Sequence, residues 1–109
     1  MIEIRGYVDL KGRNFFSQWF TRLDGFAKSR ITIYLTRLQE GNFSVVKGVG
    51  SGVFESRLDF GPGYRIYFGK DGEELVILLA GGTKMHQQKD IETAQALWQE
   101  YKKRKREAK

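Results

Sequence analysis

Residues 53–80 read Val53-Phe54-Glu55-Ser56-Arg57-Leu58-Asp59-Phe60-Gly61-Pro62-Gly63-Tyr64-Arg65-Ile66-Tyr67-Phe68-Gly69-Lys70-Asp71-Gly72-Glu73-Glu74-Leu75-Val76-Ile77-Leu78-Leu79-Ala80. Phe54, Ser56, Leu58 and Phe60 alternate with Val53, Glu55, Arg57 and Asp59, the period of a strand with two unlike faces. Gly61-Pro62-Gly63 is a turn: proline fixes one backbone angle and glycine supplies the unusual one. Tyr64 to Gly69 is the next strand, and Asp71-Gly72 is a short-hairpin signal. Leu75 to Ala80 is continuously apolar, as expected of an inner strand covered on both faces. Three strands joined by short turns predict a small, mostly antiparallel sheet.

Working outward, Ile2 to Tyr7 alternates apolar and polar and predicts a first strand. Phe15, Phe16, Trp19, Phe20 and Leu23 recur at helical spacing and predict a core-facing helix over about residues 11–23. Ala27, Ile31, Tyr34, Leu35 and Leu38 predict a second helix over about residues 26–39, with Gly41 to stop it. The short link at Asp24-Gly25 predicts that the two pack as an antiparallel hairpin. Residues 41–52 hold four glycines and read as a loop. After the polar run Gly81 to His86, the residues Ile91, Ala94, Leu97, Trp98 and Tyr101 predict a last helix over about residues 88–105. The class is α+β, in the order β-α-α-β-β-β-α, with a helical hairpin on one face of the sheet. Residues 1–109 form one domain, ending in a basic tail over residues 102–109.

About 40% of the residues are apolar and none is cysteine, so the chain can build a core without disulfides or thiolate metal sites. No apolar run is long enough to span a membrane, and the acidic, discontinuous N-terminus is no signal peptide, so a cytoplasmic setting with no membrane partner is expected. The formal net charge is +6 and points to an anionic partner, nucleic acid first. Most of that charge sits at the end. Lys102, Lys103, Arg104, Lys105, Arg106 and Lys109 stand there against Glu100 and Glu107.

No strong catalytic motif is present. One histidine cannot make a two-histidine metal site, and the acids are scattered, so no metal and no cofactor are expected. The run Gly48-Val49-Gly50-Ser51-Gly52 lacks the lysine and following helix of a phosphate-binding loop. What remains is a convergence of cations. Counted back from the turn at Pro62 and Gly63, Arg57 and Arg65 lie close together on paired strands, both facing away from Leu58 and Ile66. The next loop brings Lys84 and His86, and the last helix begins with Gln87, Gln88 and Lys89. Such a set suits RNA cleavage without a metal: arginines stabilise charge on the phosphate while a base and an acid move protons. A lysine crowded by arginines can act as base, so Lys84, His86 and Lys89 all stand as proton-handling candidates. Lys47, Gln88 and the tail residues Lys102, Lys103, Arg104, Lys105 and Arg106 are the expected RNA contacts. The same pattern also fits a solvated sheet face and a solvated helix end.

The run Phe54 to Phe68, the apolar strand after it, Gly81-Gly82-Thr83-Lys84 and Gln87-Gln88-Lys89-Asp90-Ile91 resemble the RelE/ParE toxin superfamily. Within it, they are most similar to the HigB-like, phage-derived branch known as addiction module killer proteins. The resemblance implies a RelE-like fold, a cognate antitoxin that commonly carries a helix-turn-helix domain, and metal-free cleavage of mRNA on the ribosome. It carries working roles to Arg57, Arg65, Lys84 and Lys89. The chain departs from RelE at Glu55, where RelE has a lysine, and at Ile91, where RelE has a tyrosine. The expected function is therefore a ribosome-dependent endoribonuclease toxin that arrests translation. The alternatives are a gyrase-directed ParE-like toxin and a non-catalytic nucleic-acid-binding module.

Overall fold

The structure is a computed structural model that describes residues 1–108; Lys109, the last cation of the expected tail, lies outside the described residues. Its elements are β1 (Glu3–Gly6), α1 (Phe15–Thr21), α2 (Gly25–Gln39), β2 (Val46–Gly48), β3 (Val53–Arg57), β4 (Arg65–Asp71), β5 (Leu75–Gly82), a 3-10 turn (Lys84–His86) and α3 (Gln87–Glu107). The sheet order is β1-β5-β4-β3-β2. β1 runs parallel to β5, with Glu3 opposite Leu75, and the other three pairings are antiparallel. The class is therefore α+β, with a five-stranded mixed sheet and three α-helices.

Two elements differ from expectation. The glycine-rich stretch contains β2, whose Val46 and Lys47 pair with Ser56 and Glu55. Three residues in an edge strand leave too short a period to read. α1 begins four residues later than its stripe predicted. Asp9 accepts the backbone N–H groups of Lys11 and Arg13 at 2.9 and 2.8 Å, so that stretch turns locally instead of coiling. Asn14 then caps α1 by accepting the Ser17 N–H at 3.0 Å. With only seven residues, α1 lies against β5, while α2 meets β1. The two helices share one sheet face and contribute to one core.

Each sheet face carries its own core. Phe16, Ile31, Tyr34, Leu38, Ile66, Phe68, Val76 and Leu78 fill the side under α1 and α2. Val53, Tyr67, Ile77, Leu79, Ala94, Leu97 and Trp98 fill the side under α3. β5 thus feeds both cores by alternation, which is why its sequence is apolar throughout. Gly69 and Gly81 are bare because the rings of Trp98 and Trp19 rest where a Cβ would be. The two faces therefore close tightly around the middle of the sheet and leave one end of the α3 face to polar residues.

Candidate nucleic-acid interface

The strand register builds this polar end. Lys47 pairs with Glu55 and Glu55 with Tyr67; one step along, Arg57 pairs with Arg65 and Arg65 with Gly82. Alternation puts all of these on the face that carries Val53, the α3 side. α3 reaches this end only with its first turn, where the Gln87 side-chain amide donates to Glu55 Oε2 at 2.9 Å. Arg57 and Arg65 are thus cross-strand neighbours on one face.

Their surroundings differ sharply. Arg65 is 5% exposed and Glu55 1% exposed. Arg65 Nε lies 3.7 Å from Glu55 Oε2, and Arg65 Nη1 donates to the Gly63 carbonyl at 3.1 Å. Lys47 Nζ stands 3.6 Å from the other Glu55 oxygen. Glu55 therefore gathers Arg65, Lys47 and Gln87 around one buried carboxylate. Such a pair fixes geometry more than it adds stability, because both charges leave water. The Tyr67 hydroxyl is buried in the same row, beside Glu55. Burial, and then the charge of Glu55, push its pKa up. Arg57 is displayed instead, with a 64% exposed side chain and only the exposed Asp59 beside it at 3.6 Å. Both arginines were expected side by side on one face, away from Leu58 and Ile66, and the strand register puts Arg57 opposite Arg65 there. Glu55, on the same face two residues before Arg57, draws Arg65 inward.

The remaining sequence candidates divide between two places. Lys84 is exposed, and its Cβ and Arg65 Nη1 both lie 3.4 Å from where a Cβ on Gly63 would sit. It therefore belongs with the arginines. His86 and Lys89 line a separate hollow with Trp19, Gly81, Gly82, Thr83 and Asp90. There the Asp90 carboxylate lies over Gly82, and its Oδ2 is buried without a hydrogen-bond partner. Burial pushes the Asp90 pKa up, against the opposing charges of His86 and Lys89. Gln88 is exposed and donates to Glu92 at 3.1 Å. Glu55 was legible as a face-mate of Arg57 by strand period. Nothing local in the sequence marks Asp90.

Residues 102–107 of the basic tail form the last turns of α3. Arg104 Nη1 donates to the Tyr7 hydroxyl at 3.1 Å and to the Val8 carbonyl at 2.9 Å. Lys105 Nζ lies 2.6 Å from both Asp71 oxygens. The Tyr101 hydroxyl donates to the same carboxylate at 2.5 Å, and burial followed by that bond push its pKa up to about 12. Lys102 sits over the Trp98 ring at 5.9 Å. Lys103 and Arg106 are exposed. Arg104 and Lys105, expected as RNA contacts, thus hold the helix end to the body.

Among the described residues no three of His, Asp and Glu come together as a metal site, and no helix is long and apolar enough to cross a membrane. No family model matches the chain, and no solved structure matches it. An uncharacterized protein of Haemophilus influenzae is 44% identical over 94 residues, which cover 85% of this chain and 95% of that protein. At that identity and coverage, this chain belongs to the same family as the Haemophilus influenzae protein.

Proposed function

We propose that this chain is a HigB-like toxin of the RelE/ParE superfamily that cleaves mRNA on the ribosome and is held in check by a cognate antitoxin. The observation that supports this reading is the pairing of Arg57 with Arg65 beside Lys84, Lys47 and Glu55 at one end of the sheet. In the reaction the ribose 2′-oxygen attacks the adjacent phosphorus and gives up its proton. The bond to the 5′-oxygen breaks, leaving a cyclic phosphate and a 5′-hydroxyl that gains a proton. In this reading the exposed Arg57 meets the charged phosphate from solvent, and the buried Arg65 supports it from behind. Lys84 shares their end and is the first candidate for proton handling. His86 and Lys89, in the neighbouring hollow, take the second place. Glu55 is a positioning residue: it fixes Arg65, Lys47 and Gln87.

A second reading, a non-catalytic nucleic-acid-binding module, draws on the Glu55–Arg65 pair. A buried, neutralised arginine holds a surface together as readily as it assists a reaction. Induced expression in bacteria with transcript ends mapped separates the two. The wild type is expected to arrest growth and to cut messages only within translated regions, and Arg57→Ala to lose both effects while folding normally. Arg65→Ala alone is ambiguous, because leaving Glu55 buried without its partner costs about 3–5 kcal/mol of fold. Arrest with intact transcripts, or unaltered cutting by Arg57→Ala, would overturn the nuclease reading.

A further inference from the structure

The outer face of α2 carries Phe26, Arg30, Ile33 and Arg37 at spacings of four, three and four residues, so they form one stripe along the helix. This is not the buried stripe of Ala27, Ile31, Tyr34 and Leu38. Phe26 is 66% exposed and Ile33 50% exposed. Beside the stripe runs a hollow of about 370 Å³ whose walls include Arg30, Ile33, Arg37, Val45, Arg57 and Phe60. A second hollow of about 360 Å³ is lined by Val45, Val46, Lys47, Glu55, Arg57 and Asp59. The two share Val45, Arg57 and Asp59, so they form one trough that runs from the Glu55–Arg57 end of the sheet to the outer face of α2.

The trough is cationic toward α2, where Arg30, Arg37 and Arg57 stand against Asp59, while at its other end Lys47 and Arg57 are matched by Glu55 and Asp59. Arg30 lies over Phe60 at 5.0 Å and over Phe26 at 5.7 Å, which holds its planar head in place. Among the described residues neither Arg30 nor Arg37 pairs with a carboxylate; Asp59, beside Arg57, is the only exposed acid in the walls. By contrast, Arg104 and Lys105 of the tail are engaged within the molecule.

We propose that this trough is a second RNA subsite: a single strand held at Arg57 continues through it, Arg30 and Arg37 meeting successive phosphates and Phe26 and Ile33 meeting bases. The inference rests on the nucleic-acid reading above. An acidic protein segment shares part of the required chemistry, but the wall that the trough shares with Arg57 favours the strand already placed there. Cationic grooves with ring and apolar contacts are the usual form of single-strand binding.

The test is fluorescence anisotropy with an end-labelled single-stranded RNA of about twelve nucleotides, 2′-O-methylated against cleavage, over about 50–300 mM KCl. The proteins are the wild type, Arg57→Gln, the pair Arg30→Gln/Arg37→Gln, the pair Arg30→Lys/Arg37→Lys, and the tail pair Lys103→Gln/Arg106→Gln. The trough glutamine pair is expected to weaken binding about ten-fold and to flatten the log Kd against log salt slope by about 1.4, two phosphates at about 0.7 each. The lysine pair is expected to keep the slope, which a merely structural loss would not do. The tail pair is expected to change less than the trough pair. If Arg57→Gln weakens binding and the trough glutamine pair does not, the strand does not use the trough and the second subsite is overturned. If the wild type binds no RNA, or Arg57→Gln binds as the wild type does, the nucleic-acid reading falls first and takes this subsite with it.

Discussion

Asp90 shows how one side chain can be held against its own chemistry. It lies in the first turn of α3, pressed over Gly82, with one oxygen shut away from water and from any donor. Burial raises its pKa, while His86 and Lys89 pull the other way. An unfolded aspartate titrates at about 3.9. Between that value and the raised one, the folded chain binds a proton that the unfolded chain lacks. Stability therefore falls as pH rises through this window, and at neutral pH the ionised carboxylate is a burden on the fold. Asp90→Asn is expected to melt higher than the wild type at neutral pH, with the gap closing as pH drops below the window. Thermal melts across a pH series check this; a gap that does not vary with pH would contradict it. If Lys89 or His86 works in the reaction, this carboxylate sets the local field it works in.

Among the elements, helices and sheet meet through two tryptophans and two glycines. Trp98 of α3 covers Gly69 of β4, and Trp19 of α1 covers Gly81 of β5. Gly69→Ala is expected to destabilise the fold by about 1–3 kcal/mol through overpacking. The denaturant midpoint should fall while the slope m stays the same; an unchanged midpoint would mean that Trp98 can move aside. Much of this layout was readable in advance. The strands at Phe54, Arg65 and Leu75 showed themselves by alternation, by turn glycines and by an unbroken apolar run. Leu97 and Trp98 marked the face of α3. β2 was hidden because Val46–Gly48 is held by its pairing with β3 and not by any pattern of its own. α1 was overextended because the stripe of apolar residues says nothing of Asp9, which takes the N–H groups a longer helix would use. The facing of Arg57 and Arg65 was legible from period and turn. The burial of Arg65 was not, since it depends on Glu55 and Gln87 meeting across more than thirty residues.

Taken whole, the molecule joins its two ends. The Tyr7 hydroxyl donates to Glu100 at 2.5 Å, Arg104 reaches the Val8 carbonyl, and Lys105 reaches Asp71. These contacts sort the tail cations into straps and free charges. Arg104→Ala, which leaves Tyr7 and Val8 without their shared donor, is expected to lower Tm measurably and to speed amide exchange in the last turns of α3. Lys103→Ala and Arg106→Ala are expected to stay within about 0.5 kcal/mol of the wild type, as open surface positions do. Equal effects from all three would mean that the straps contribute nothing. Net charge is thus a poor map of free positive surface: some tail cations are engaged within the molecule, while among the described residues Arg30 and Arg37 pair with no carboxylate and Arg57 has the exposed Asp59 beside it.

The parallel pairing of β1 with β5 also sets the order of events at birth. Glu3 leaves the ribosome roughly seventy residues ahead of its partner Leu75, and contacts at such separation are slow to form. At synthesis rates of about 5–20 residues per second, β1 waits several seconds without a neighbour. Gln87, which braces Glu55, arrives later still. A half-made chain therefore carries neither a closed sheet nor a finished arginine pair, and the polar end of the sheet takes shape only once Gln87 has emerged to meet Glu55.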